Sequence, residues 1–116
     1  MIVTVTLNTT IDIVIKLPKL KVNNVLRTDT IFSYPGGKGT NVSRALKILG
    51  LESIATGFVG DKNFFQMKEF LLKHGIKSDF VKVKGQNRIC VLVTETKNIS
   101  ETVINSESQY NITEDD

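Results

Sequence analysis

The chain has 116 residues, one domain's worth, and its 41% hydrophobic and 23% charged content is ordinary globular usage that excludes wholesale disorder. No run of 18 apolar residues occurs, and Asp12 interrupts the N-terminal apolar stretch, which lacks a basic leader; a membrane-spanning helix and a signal peptide are not expected. All 15 Lys and Arg lie within residues 1–99 against 7 acids, and the net charge is +3; the bases are mostly scattered lysines with few aromatics between them, so a small anionic metabolite is expected rather than nucleic acid.

Twelve Ile, twelve Val and twelve Thr make about 31% of the chain β-branched, which leans toward sheet. The alternating run at residues 2–7 predicts a strand, and residues 11–15 predict a second after the polar step Asn8-Thr9-Thr10. Residues 26–33 predict a third, ended by Pro35-Gly36-Gly37. Val42, Ala45, Leu46 and Leu49 then fall on one face of a helix over 39–49, stopped by Gly50. Residues 53–59 return to strand. Asn63 and Gln66 have capping-box spacing for a helix over 63–74, lined by Phe64, Met67 and Leu71 and closed at His74-Gly75. Residues 78–83, 88–95 and 101–105 predict three more strands, the last two joined by a turn at Lys97-Asn98. Thr113 has the chemistry of a further helix cap, with Glu114, Asp115 and Asp116 behind it. The fold class is therefore α/β: a parallel sheet with flanking helices, and a small second sheet from 11–33 and 88–105 standing over one edge.

The most informative segment is Gly36-Gly37-Lys38-Gly39-Thr40-Asn41 before a helix. Bare glycine backbone, a helix N-terminus and the side chains of Lys38 and Asn41 suit a polyhydroxylated anion. A tight connecting turn is the plain alternative. The spacing fits neither a Walker A loop, because Gly39 rather than Ser or Thr follows Lys38, nor Gly-x-Gly-x-x-Gly. Asp12 sits inside an apolar strand, where an unpaired charge is costly. The lone Cys90 forms no intrachain disulfide, which suits a reducing cytoplasm. Its plain role is that of a small buried apolar residue.

Three segments, Thr6-Leu7-Asn8-Thr9-Thr10-Ile11-Asp12, Gly36 through Leu46, and Gly57-Phe58-Val59-Gly60, together resemble the N-terminal signature of the PfkB (ribokinase-like) carbohydrate kinases. The resemblance covers essentially the whole chain and is strongest to the hexose-phosphate kinase branch. It implies a ribokinase-like α/β core at 1–10 and 36–84 and a β lid at about 11–35 and 86–106. It also implies sugar contacts from Asp12, Gly36, Gly37, Lys38, Gly39 and Asn41, a phosphate contact from Arg88, and an Arg27 on the lid that reaches a neighbouring subunit's site in a homodimer. Cys90, in Arg88-Ile89-Cys90-Val91, stands where 1-phosphofructokinases usually carry Asn. Together with Asp79-Phe80, it resembles the tagatose-6-phosphate kinases, implying a ketohexose 6-phosphate acceptor, with fructose 1-phosphate as the alternative.

The family's catalytic aspartate lies in a Gly-Ala-Gly-Asp motif, and neither that motif nor the region for ATP and magnesium occurs in these residues. The resemblance thus implies a cytoplasmic kinase domain present only in its acceptor-binding part, without turnover of its own. A non-catalytic sugar-phosphate-binding or dimerising module is the other reading.

Overall fold

The computed structural model describes residues 1–116 and has two main sheets and a small two-stranded one. The first sheet is built from β1 (Val3–Thr6), β4 (Ile54–Gly60) and β5 (Lys77–Val83), all parallel, in the order β1-β4-β5. Helices α1 (Lys38–Ile48) and α2 (Phe64–Lys73) provide the crossovers and cover the same face. The core there consists of Ala55 and Val59 from the sheet, Met67 and Leu71 from α2, and Ile11 and Ile76. Removing the Met67 side chain would cost about 2–5 kcal/mol, the range for a fully buried long aliphatic residue.

The interface between α1 and β1 is unlike this core. Thr4 Oγ1 lies 2.7 Å from Ser43 Oγ, Ser53 Oγ donates to Ser43 Oγ at 2.8 Å, and the Thr40 amide donates to Thr6 Oγ1 at 2.9 Å. The expected stripe of Val42, Ala45, Leu46 and Leu49 is not what the helix buries. Thr40 and Ser43 are its buried residues, while Val42 and Leu49 are 49% and 73% exposed. Hydroxyls buried against hydroxyls satisfy one another, so burial here follows pairing rather than hydropathy.

Helix α2 ends as the sequence predicts: Gly75 takes φ +68 and the Ile76 amide donates back to Leu71. Its capping box does not form. Asn63 makes no cap bond, and its Oδ1 instead accepts the Asn87 amide at 3.0 Å.

The second sheet has the order β3-β2-β7-β8, from β3 (Ile31–Gly36), β2 (Thr10–Leu17), β7 (Arg88–Glu95) and β8 (Ser100–Asn105). Its central pair, β2 and β7, is parallel, and both outer pairs are antiparallel. The third strand lies later than expected and includes Pro35 and Gly36, opposite Ile11 and Thr10. β3 is an edge strand, where a proline's missing N–H need not disrupt a ladder. Two short strands not foreseen, β6 (Gly85–Gln86) and β9 (Gln109–Tyr110), pair beside the first sheet. At the chain end, Asp116 Oδ2 accepts the Thr113 amide at 2.8 Å, a capping-box half-bond. No helix is long and apolar enough to cross a membrane.

Candidate functional site

The glycine loop occupies the seam between the two sheets, and its bareness has identifiable causes. Gly37 has φ +108, and a methyl group there would lie 2.5 Å from Thr6 Cγ2. A methyl on Gly39 would lie 2.6 Å from Thr6 Oγ1 and against the Val5 carbonyl. These two glycines therefore let the first turn of α1 sit directly on β1. Gly36 is bare for another reason: a methyl there would overlap the Asp12 carboxylate, 2.6 Å from its Cγ. The N-cap residue Gly37 offers α1 no side chain; Thr6 Oγ1 takes the Thr40 amide and the Gly37 carbonyl takes the Asn41 amide, which leaves the Lys38 and Gly39 amides unpaired.

Asp12 stands on β2 and is partly buried. Thr10 Oγ1 donates to its Oδ1 at 3.1 Å, and none of the three salt bridges includes it. The parallel register places Arg88 beside Thr10 and Cys90 beside Asp12, so Thr10, Asp12, Arg88 and Cys90 share one face of the sheet. Gly36 and Tyr34 flank Thr10 and Asp12 from the other side. Arg88 Nε is buried without a hydrogen-bond partner. A carboxylate and a guanidinium on neighbouring strands, neither committed to an ion pair, form a site for a ligand that offers both hydroxyls and an anion. Burial pushes the Cys90 thiol above its ordinary value, the Asp12 charge adds to this, and the Arg88 charge opposes it. Cys90 is therefore a neutral, half-buried thiol at neutral pH.

The remaining expected residues fall in different places. Lys38 and Asn41 are exposed at the start of α1, and Asn41 Oδ1 accepts from Arg44 Nη1 at 3.3 Å. The Arg44 guanidinium stacks 4.5 Å from the Tyr34 ring and so ties the loop helix to the second sheet. Its one signal in the sequence is its place a turn beyond Asn41. Arg27 is not brought to this site. It lies on the connection between β2 and β3 beside Lys16 and Leu17, and Lys16 is about 13 Å along the strand from Asp12 at ~3.3 Å per residue.

The profile of the pfkB family carbohydrate kinases matches residues 3–115. The chain belongs to the pfkB family of carbohydrate kinases. It is 40% identical over 107 residues to a 1-phosphofructokinase of Bacillus subtilis, covering 92% of this chain and 34% of that one. A solved structure of a possible 1-phosphofructokinase from Thermotoga maritima is 38% identical, with a TM-score of 0.85 over 92% of this chain and 35% of that one. Phosphofructokinase-2 of Escherichia coli, solved with fructose-6-phosphate, is 24% identical with a TM-score of 0.86, covering 98% of this chain and 37% of that one, and shares the fold. The chain spans about a third of the length of the curated relatives it matches. Kinases of this pfkB family use ATP, but these residues offer no grouping of three His, Cys, Asp or Glu side chains to hold a metal, and the glycine loop packs on β1 and Asp12. No step involving a metal or nucleotide is assigned to them.

Proposed function

We propose that this chain carries the acceptor site of an ATP-dependent sugar-phosphate kinase that converts a ketohexose monophosphate to a bisphosphate. The observation that carries the reading is the pairing of β2 with β7, which sets the unpaired Asp12 carboxylate and the Arg88 guanidinium on one face beside the glycine loop. Asp12 would accept hydrogen bonds from sugar hydroxyls, the Lys38 and Gly39 amides and Asn41 would complete the hydroxyl contacts, and Arg88 would hold the phosphate through its planar fork. Holding the acceptor in one orientation is a large part of what phosphoryl transfer requires of a protein. The general base would be an aspartate outside these residues, as would the groups that bind ATP and magnesium.

Two acceptors compete. Cys90 and Asp79-Phe80 support tagatose 6-phosphate or fructose 6-phosphate, phosphorylated to the 1,6-bisphosphate. The names of the relatives support fructose 1-phosphate, giving fructose 1,6-bisphosphate. Arg27, far from Asp12 along its own sheet, would serve a neighbouring subunit's site in a homodimer joined through the second sheet, which would act as a lid. The working compartment would be the cytoplasm.

Titration calorimetry of the 116-residue chain with tagatose 6-phosphate, fructose 6-phosphate, fructose 1-phosphate and unphosphorylated fructose tests the reading. Binding of at least one phosphate ester and no binding of the free sugar is expected, with no turnover when ATP and magnesium are added. Equal binding of fructose and its phosphates would remove Arg88 from its role, and turnover by the chain alone would refute the placement of the base elsewhere.

A further inference from the structure

The two sheets meet where the chain passes between them at Thr9-Thr10, Gly36-Gly37 and Asn87-Arg88, and a further passage leads from β8 to β9. The register makes these crossings neighbours, since Thr10 pairs with Gly36 on one side and with Arg88 on the other. One side chain ties the seam from beneath. Asn87 is only 4% exposed. Its Nδ2 donates to Thr9 Oγ1 at 2.9 Å, and its Oδ1 accepts the Gly60 amide at 2.7 Å. Its own amide donates to Asn63 Oδ1 at 3.0 Å.

The bonds to Thr9 and Gly60 run in one direction only. The Thr9 hydroxyl, fully buried, donates to the Phe58 carbonyl at 2.6 Å, so toward Asn87 it can only accept. The Gly60 N–H can only donate. A carboxamide oriented as found satisfies both; rotated by half a turn, it would set its NH2 against the Gly60 N–H. The two backbones also pack closely here, since a methyl on Gly60 would lie 2.6 Å from the Gly85 carbonyl oxygen and 3.0 Å from the Asn87 backbone nitrogen.

Thr9 and Asn87 each lie one position from a site residue or its support. Thr9 precedes Thr10, whose hydroxyl donates to Asp12, and Asn87 precedes Arg88. Gly60 and Phe58 anchor the pair to the end of β4, in the sheet whose β1 strand the glycine loop packs against. We propose that Asn87 is the positioning residue of the acceptor site: its carboxamide fixes the second sheet against the first, so that Asp12 and Arg88 face the glycine loop as one unit. This rests on the sugar-phosphate reading above, and it assigns to Asn87 no contact with the ligand.

The test compares four variants of the 116-residue chain. Asn87→Asp keeps the acceptor for Gly60 and loses the donor to Thr9. Thr9→Val breaks the same bond from the other side with nearly the same shape, together with the bond to the Phe58 carbonyl, and Thr9→Ser preserves both. Ser53→Ala removes a buried hydroxyl at the opposite end of the first sheet. Amide exchange and calorimetry against the three ketohexose phosphates are read together. Asn87→Asp and Thr9→Val are expected to speed exchange at residues 88–90 at least tenfold and to weaken binding at least tenfold. Thr9→Ser should restore both to within about twofold of the parent chain, and Ser53→Ala should lower the melting point without moving either. Unchanged exchange and affinity in Asn87→Asp and Thr9→Val would overturn the proposal while leaving the site intact. If the parent chain binds none of the three esters, the sugar-phosphate reading fails by itself. Exchange then decides the seam alone: tenfold faster exchange in the two bond-breaking variants supports it, and unchanged exchange overturns it. If Asn87→Asp does not fold, Thr9→Val against Thr9→Ser decides between the same two outcomes.

Discussion

The Asp12 carboxylate occupies the space into which any side chain at residue 36 would grow. The glycine is thus set by a charged neighbour on the adjacent strand, and the carboxylate is held against bare backbone at the mouth of the loop. Gly36→Ala should push the carboxylate off the Thr10 hydroxyl and out of line with Arg88. The expected outcome is a loss of about 1–3 kcal/mol in stability, the range for overpacking, and at least tenfold weaker acceptor binding. Urea titration and calorimetry would check both. An alanine accepted without loss would mean that the carboxylate moves freely.

Arg88 predicts an opposition between stability and function. Its Nε is buried and unpaired, so the free chain bears a desolvation cost for that group of about 1–3 kcal/mol. Arg88→Met keeps the unbranched aliphatic stem and removes the unmatched donor. The urea midpoint should stay level or rise, while discrimination between a ketohexose phosphate and the free ketohexose should vanish. Arg88→Lys should keep the charge but lose the fork, leaving intermediate affinity. A large fall in stability with Arg88→Met would show that the guanidinium serves the fold instead.

What is legible in the sequence follows from what each signal measures. A strand such as Arg88–Glu95 shows its true limits because Ile89, Val91, Val93 and Thr94 favour extended backbone whatever they pack against. The buried face of α1 stays hidden, because hydropathy does not register that Thr4 and Thr6 on β1 are waiting for Ser43 and Thr40. Pro35 looks like a terminator because the edge position that tolerates it is a property of the sheet, not of the segment. Asp12, the glycine loop and Arg88 can be nominated from motif and chemistry. Asn87 cannot, since its partner Thr9 is 78 residues away.

The Cys90 thiol is a reporter of the charges around it. Burial raises its pKa first, Asp12 raises it further, and Arg88 lowers it. Alkylation by iodoacetamide at pH 8 should therefore be slower than for an unhindered thiol. Asp12→Asn should speed it, and Arg88→Met should slow it. The stability consequence has a definite sign. With the folded pKa above the unfolded one, the folded state holds the proton more tightly, so the contribution is complete below the unfolded thiol's pKa and is lost as pH rises through the folded value. Cys90→Ser should remove that alkaline loss. Identical alkylation rates in all three proteins would mean that neither charge lies near the sulfur.

The face of the first sheet opposite its helices leads to a last expectation. Val3 and Val5 point there with exposures of 47% and 59%, and β1 is also a sheet edge with one side of its backbone unpaired. Apolar side chains beside an open edge favour strand addition by another chain. The 116-residue chain should therefore associate with itself at micromolar concentration, in a manner distinct from any dimer through the second sheet. Val5→Lys adds a charge to the exposed strip without touching the helix-covered core, since Val5 faces away from Thr4 and Thr6. Light scattering should show a shift toward smaller species, with stability changed by less than about 0.5 kcal/mol, the usual limit for a surface substitution. A parent chain that stays monomeric at all concentrations, or a Val5→Lys variant that associates equally well, would locate the contact elsewhere.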